Sequence, residues 1–241
     1  MNIYKLTGRE LLALIYISKL GGINHAISLS TSQLANVLSM SQQSASRLLV
    51  KMDADLKLIE WHPSPRGSKV KITLLGETVL HKLNYELELA LNPELKSIII
   101  RGTVFSGLGE GKYYITRLPY MRSFKEKLGI EPYPGTLNLR VSPGYVNKLD
   151  LVRGSWPIII PGFEEEGRKF GEVLCYEGRI SGLEKPVFLI VPRRTHYRKN
   201  VMEIISNVYL RKILNLKDGD KVTIEFPLTQ QGYDTNDRRN A

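Results

Sequence analysis

The chain has 241 residues, 42% hydrophobic and 24% charged, which is enough to bury one large core or two modest ones. Its formal charge of +10 points to anionic partners, either nucleic acid or a phosphorylated small molecule, and its single cysteine, Cys175, excludes an intrachain disulfide and a thiolate zinc site. No apolar run approaches the roughly 18 residues that would span a bilayer, and MNIYKLTGRE carries charges where a signal peptide needs its apolar stretch, so a soluble cytoplasmic protein is expected.

Thr7 through Glu10 reads as a capping box, Thr-x-x-Glu, in front of Leu11, Leu12, Leu14, Ile15 and Ile17, and Gly21-Gly22 closes that helix. A short second helix is expected over TSQLANVL and a third over SQQSASRLLVKMDADL, with Leu48, Leu49 and Met52 on its inner side. The extended runs LIEWHP and SKVKITL are joined by Ser64-Pro65-Arg66-Gly67, which is hairpin turn chemistry, and a last helix runs from about residue 75 to 91. That order resembles the winged-helix transcription regulators, in which the second helix of the pair enters the major groove of DNA. Ser41, Gln42, Gln43, Ser44, Ser46 and Arg47 would then form the DNA-reading face, and Arg66 and Lys69 at the wing would reach phosphates. The alternative is a solvated or dimerising helical unit. Residues 1–92 carry only ten basic against seven acidic side chains, a net of +3.

Beyond Asn92-Pro93 the pattern changes to short β-branched runs such as SIIIRGTVF and PVFLIVP, so the domains are read as 1–92 and 93–228. Residues 229–241 have no apolar period and are expected to form a disordered tail. Residues 93–241 hold 24 basic and 17 acidic side chains, most of the excess charge. Cys175, in the apolar-rich GEVLCYEG, reads as a buried small residue.

The stretch SGLGEGKYYI, residues 106–115, has three glycines at alternate positions before Lys112. It is not a P-loop, because only three residues separate Gly107 from Gly111 and Tyr113 follows the lysine. Nor is it a dinucleotide fingerprint, since G-x-G-x-G runs into a strand-like YYI. Glycines nevertheless let backbone N–H groups approach an anion, so a phosphate loop and a plain hairpin turn both remain open. In PYPGTLNLRV, residues 132–141, Thr136 and Asn138 share one strand face while Leu137 and Leu139 share the other. Two neutral oxygens suit a magnesium ion that draws its anionic ligands from phosphates; an ordinary polar strand edge is the alternative.

Taken together, SGLGEGKYYITRLPYMRSFKEKLG, EPYPGTLNL, VPRRTHY, VMEII and LRKILNLKDGDKV resemble the archaeal CTP-dependent riboflavin kinases over essentially all of residues 97–227. The resemblance implies a six-stranded cradle-loop β-barrel behind the winged helix-turn-helix, a multidomain α+β chain. It implies that Gly107, Leu108, Gly109, Glu110, Gly111 and Lys112 hold CTP, with Val208, Tyr209, Leu210 and Arg211 as a second nucleotide-contacting stretch. Thr136 and Asn138 match its Mg2+ ligands, and Thr195 and Glu203 match positions touching riboflavin or FMN. Glu203 is the candidate for orienting or deprotonating the acceptor hydroxyl, unless the phosphate or solvent takes that proton. His196, with the Arg193, Arg194 and Arg198 around it, stays outside the catalytic set. The competing reading is a flavin- or nucleotide-sensing regulator without kinase activity, which has no need of magnesium ligands at Thr136 and Asn138.

Overall fold

Thr7 caps the first helix in the computed structural model, which describes residues 3–64, 68–107, 109–192 and 200–228, the side chain of Glu110 excepted. The Thr7 hydroxyl accepts from the Glu10 amide at 3.4 Å, and the Glu10 carboxylate accepts from the Thr7 amide at 2.7 Å, ahead of α1 (Gly8–Lys19). Ser30 and Gln33 repeat the reciprocal pair, at 3.1 and 2.9 Å, ahead of α2 (Thr31–Val37). Ser41 caps α3 (Gln42–Val50), which continues into a π-turn over Lys51–Asp55 instead of the longer α-helix expected. Leu49 and Met52 are fully buried there and Leu48 packs against them.

The short strands β1 (Ile27–Ser28), β2 (Ile59–His62) and β3 (Lys69–Ile72) pair antiparallel in the order β1-β3-β2, and α4 (Leu74–Leu91) follows. Glu10 is 2% exposed and its carboxylate lies 2.7 Å from Lys51 Nζ, which ties α1 to the π-turn. The chain divides into two compact units, Met1–Leu87 and Glu88–Ala241, the break falling in the last turn of α4.

The second unit opens with β4 (Ser97–Phe105), α5 (Glu110–Ile115) and α6 (Leu118–Leu128), then β5 (Leu137–Val141) and α7 (Val146–Gly154). A short β6 (Ile158–Ile160) precedes the hairpin β7 (Phe163–Glu165) and β8 (Arg168–Phe170). Then come β9 (Val173–Gly178), β10 (Val187–Pro192), β11 (Val201–Ile205), α8 (Leu210–Ile213) and β12 (Lys221–Pro227). Among the described residues, seven strands form one antiparallel sheet in the order β12-β4-β5-β11-β10-β9-β6, with β7 and β8 apart from it. The six-stranded count expected for the barrel is therefore exceeded by one. No continuous ladder closes the sheet among the described residues: a single bridge joins Arg179, just past β9, to Glu225 of β12.

Burial explains the strand sequences. β4 and β12 alternate buried and exposed residues, as strands covered on one face do. β9 and β10 are apolar almost throughout because two clusters cover both faces. Leu174, Tyr176, Leu189 and Val191 face the main core with Leu137 and Leu139, whereas Val173, Cys175, Phe188 and Ile190 face Tyr120, Phe124 and Leu128 of α6. Each such buried side chain contributes about 1.5–3 kcal/mol.

One sequence expectation is overturned here: YYI is not a strand. Residues 110–115 form α5, in which Ile115 is 2% exposed against the α6 cluster while Tyr113 and Tyr114 stay partly exposed. The β preference of Tyr and Ile yields to the packing of one apolar helix stripe. No helix among the described residues is long and apolar enough to cross a membrane.

Candidate active site

One row of side chains crosses the sheet beside the glycine stretch. Antiparallel register sets Phe105 opposite Asn138, Asn138 opposite Glu203, Glu203 opposite Ile190, and Ile190 opposite Cys175. Directly opposed residues point to the same face with Cβ atoms about 4.5–5.5 Å apart. Asn138 and Glu203 are therefore neighbours on the face that α6 covers further along the row. Phe105, Thr136, Asn138, Ile190 and Glu203 line a cavity of about 420 Å³. Cys175, at the covered end, is fully buried, and burial pushes its thiol up to about 12, so it stays a neutral apolar filler.

The three glycines have two different physical reasons. A Cβ on Gly107 would stand 2.4 Å from Asn138 Nδ2, and one on Gly111 would stand 2.9 Å from Thr136 Oγ1. Gly109 has open space around it but a φ of +79°, the left-handed conformation that starts α5. The loop backbone thus rests directly on the two oxygen-bearing side chains of the 136–138 stretch. Thr136 Oγ1 donates to Asn138 Oδ1 at 3.2 Å. Lys112 is exposed on α5, Glu110 begins that helix, and Leu108 lies outside the described residues.

The second expected nucleotide stretch does not line the cavity; it reaches the loop through Asp218. That carboxylate accepts from Arg211 Nη1 at 2.7 Å and from the Ser106 amide and hydroxyl at 3.0 and 3.1 Å. Arg211 and Ser106 hold the Asp218 carboxyl below its ordinary range. Leu210 is buried in the main core, Val208 packs against it, and the exposed Tyr209 ring stacks on Tyr133 with centroids 4.8 Å apart. Thr195, with Arg193, Arg194, His196 and Arg198, lies outside the described residues, between the cavity-lining Pro192 and Val201.

Over the glycine side of the cavity, the β7–β8 hairpin turns through Glu166 and Gly167, both at positive φ, 50° and 74°. Such a two-residue turn matches the twist of its strands. Arg168 follows it, lines the cavity, and donates from Nη1 to Tyr113 and from Nη2 to Tyr114, each at 3.2 Å. Arg117 donates to Glu165 at 3.0 Å and stacks over the Tyr113 ring at 4.2 Å. Hairpin and α5 are so cross-linked by side chains. Arg153 on α7, 6% exposed, also lines the cavity and pairs with Asp150 at 3.3 Å. With Tyr114, Tyr120, Phe124 and Phe170 forming an aromatic wall, the cavity suits a ligand that joins a flat apolar ring to a polar, anionic end.

A family model for CTP-dependent riboflavin kinases, described as a domain of unknown function (DUF120), matches residues 104–226. The chain is also 47% identical to a riboflavin kinase of Thermoplasma volcanium over 197 residues, 82% of this chain and 87% of that protein. The chain belongs to this riboflavin kinase family. Riboflavin kinases of Pyrococcus furiosus and Archaeoglobus fulgidus are 42% and 39% identical over 213 and 215 residues, each covering 88% of this chain and 95% and 89% of the relative.

The span matched by the riboflavin kinase family takes in every residue that lines the cavity. Within it, motif and pattern leave Arg153, Arg168 and Phe170 unassigned. Arg153 sits in a helix with no motif, and FEEEGRKF offers only Gly167 as a turn signal. In the first unit, Gln42, Gln43, Ser44 and Arg47 are exposed along α3 and Ser46 is half-buried. Ser41 has a local task as the cap of Ser44, Gln42 donates to Thr31 at 3.0 Å, and Lys69 donates to Ser28 at 3.0 Å. Arg66 lies outside the described residues.

Proposed function

We propose that the protein is a CTP-dependent riboflavin kinase, transferring the γ-phosphoryl group of CTP to the ribityl 5′-hydroxyl of riboflavin to give FMN and CDP. The observation that carries this reading is the contact of Gly107 and Gly111 with Asn138 and Thr136, one strand away from Glu203. Phosphoryl transfer depends on alignment and charge neutralisation more than on covalent chemistry by the protein. Backbone N–H groups of residues 107–112 cradle the phosphates, and 208–211 with Arg211 border the nucleotide. The aromatic wall, with Thr195, receives the flavin.

Thr136 and Asn138 fit a magnesium ion. Their oxygens, 3.2 Å apart, match the roughly 3 Å between adjacent oxygens around octahedral Mg2+, and both are neutral, leaving the ion's charge for phosphates. When bound, Mg2+ neutralises charge on the phosphate chain. Glu203 orients the acceptor hydroxyl and takes its proton; Glu203→Gln keeping wild-type turnover with normal riboflavin binding would remove that role. The Arg179–Glu225 bridge supports reading the curled sheet as the family's cradle-loop barrel, and the reaction belongs in the cytoplasm.

The test incubates purified protein with riboflavin, Mg2+ and either CTP or ATP, and separates flavins and nucleotides by chromatography. FMN and CDP with CTP are expected. Flavin binding with no FMN from either donor favours the sensing regulator instead.

A second function is favoured by the polar, exposed start of α3 behind α2: binding of double-stranded DNA by a winged helix-turn-helix through Ser41, Gln42, Gln43, Ser44, Ser46 and Arg47, with Arg66 and Lys69 on phosphates. Fluorescence anisotropy on a duplex pool should show binding that weakens steeply with salt and in Arg47→Ala. Equal affinity in the variant would argue for a purely structural unit.

A further inference from the structure

A nucleoside triphosphate brings roughly four negative charges, of which one divalent ion offsets two, so a donor site needs further positive charge aimed into it. Among the described residues lining the cavity, the cationic side chains are Arg153, Arg168 and Lys169. Arg153 is nearly buried and already paired with Asp150. Arg168 differs: it is exposed, and its guanidinium donates to two neutral phenols and not to a carboxylate. Those phenols belong to Tyr113 and Tyr114, two and three residues after Gly111, whose position against Thr136 anchors the same helix. The guanidinium is held by Tyr113 and Tyr114 while the remaining N–H donors of its fork stay available for bidentate contact.

We propose that Arg168 binds the triphosphate chain of the donor nucleotide, reaching it from the β7–β8 hairpin. The inference rests on the kinase reading and adds to it a phosphate ligand from the β7–β8 hairpin. A charge-assisted contact of this kind strengthens binding by about tenfold or more and weakens with salt.

The test titrates the full-length protein with CTP and Mg2+, and separately with riboflavin, for wild type, Arg168→Gln and Arg168→Lys, with thermal midpoints recorded. Expected are a loss of CTP affinity of about tenfold or more in Arg168→Gln, an intermediate loss in Arg168→Lys, riboflavin affinity within about twofold, and unchanged midpoints. Unaltered CTP affinity in Arg168→Gln, or equal loss of both ligands with a lowered midpoint, would overturn the proposal. Wild type that binds CTP yet makes no FMN counts against the kinase reading alone, because the titration still decides for or against Arg168.

Discussion

The helix caps of the first unit and the surroundings of the cavity in the second use polar side chains in opposite ways. In the first, Thr7 with Glu10, Ser30 with Gln33 and Ser41 with Ser44 are each three residues apart, and every pair finishes a helix end. In the second, Arg117 reaches Glu165 across 48 residues, Arg168 reaches Tyr113 across 55 and Ser106 reaches Asp218 across 112, all close to one cavity. Local pairs stabilise the element that contains them. Distant pairs fix the positions of segments that strand pairing and apolar packing bring together around the cavity. Damage to the first kind should therefore appear as stability and damage to the second as activity.

The largest effect expected is at Thr136 and Asn138. Alanine at either should lower FMN formation by about a hundredfold or more while the thermal midpoint stays near wild type. Retained turnover would show that this strand pair is only packing. Next come the loop glycines, where activity and stability should fall together. Gly107→Ala drives a methyl group into Asn138 Nδ2, so denaturant unfolding should register a cost of about 1–3 kcal/mol besides slower FMN production.

Local caps should do the reverse. Ser30→Ala should cost about 1 kcal/mol in the unfolding of the first unit and leave kcat and KM for both substrates unchanged; a kinetic change would break the division between the units. Smaller still is a pH effect at Glu10. Desolvation raises its carboxyl, but Lys51 and the Thr7 amide outweigh it and hold the group below its ordinary 4.5. A depressed carboxyl stabilises fully above the unfolded value and loses that contribution as pH falls through the folded one. Stability of the first unit should thus be flat above about pH 5 and decline below 4.5, and Glu10→Gln should flatten the decline. Finally, Cys175 should show no measurable reaction with a thiol-specific reagent at neutral pH until the protein is unfolded.

Much of the first unit was open to inspection in the amino-acid order alone, since capping boxes, helix stripes and turn residues act over three or four positions. The Thr7–Glu10 box and the inner Leu49 and Met52 needed no partner from elsewhere. The strand alternation that turns Thr136 and Asn138 away from Leu137 and Leu139 is equally local, as is the motif set that marks the riboflavin kinase family. Tertiary structure decided the rest. Helix α5 forms where aromatic and β-branched residues suggest a strand, because Ile115 finds a buried seat. Glu203 comes beside Asn138 only through the register of β11 on β5. Arg168 enters the cavity only because Glu166 and Gly167 turn its hairpin back and two tyrosines of a different element hold its guanidinium. Short-range periodicity carries information about faces and caps, whereas which faces meet depends on burying the whole apolar surface at once, and no local stretch of the chain contains that sum.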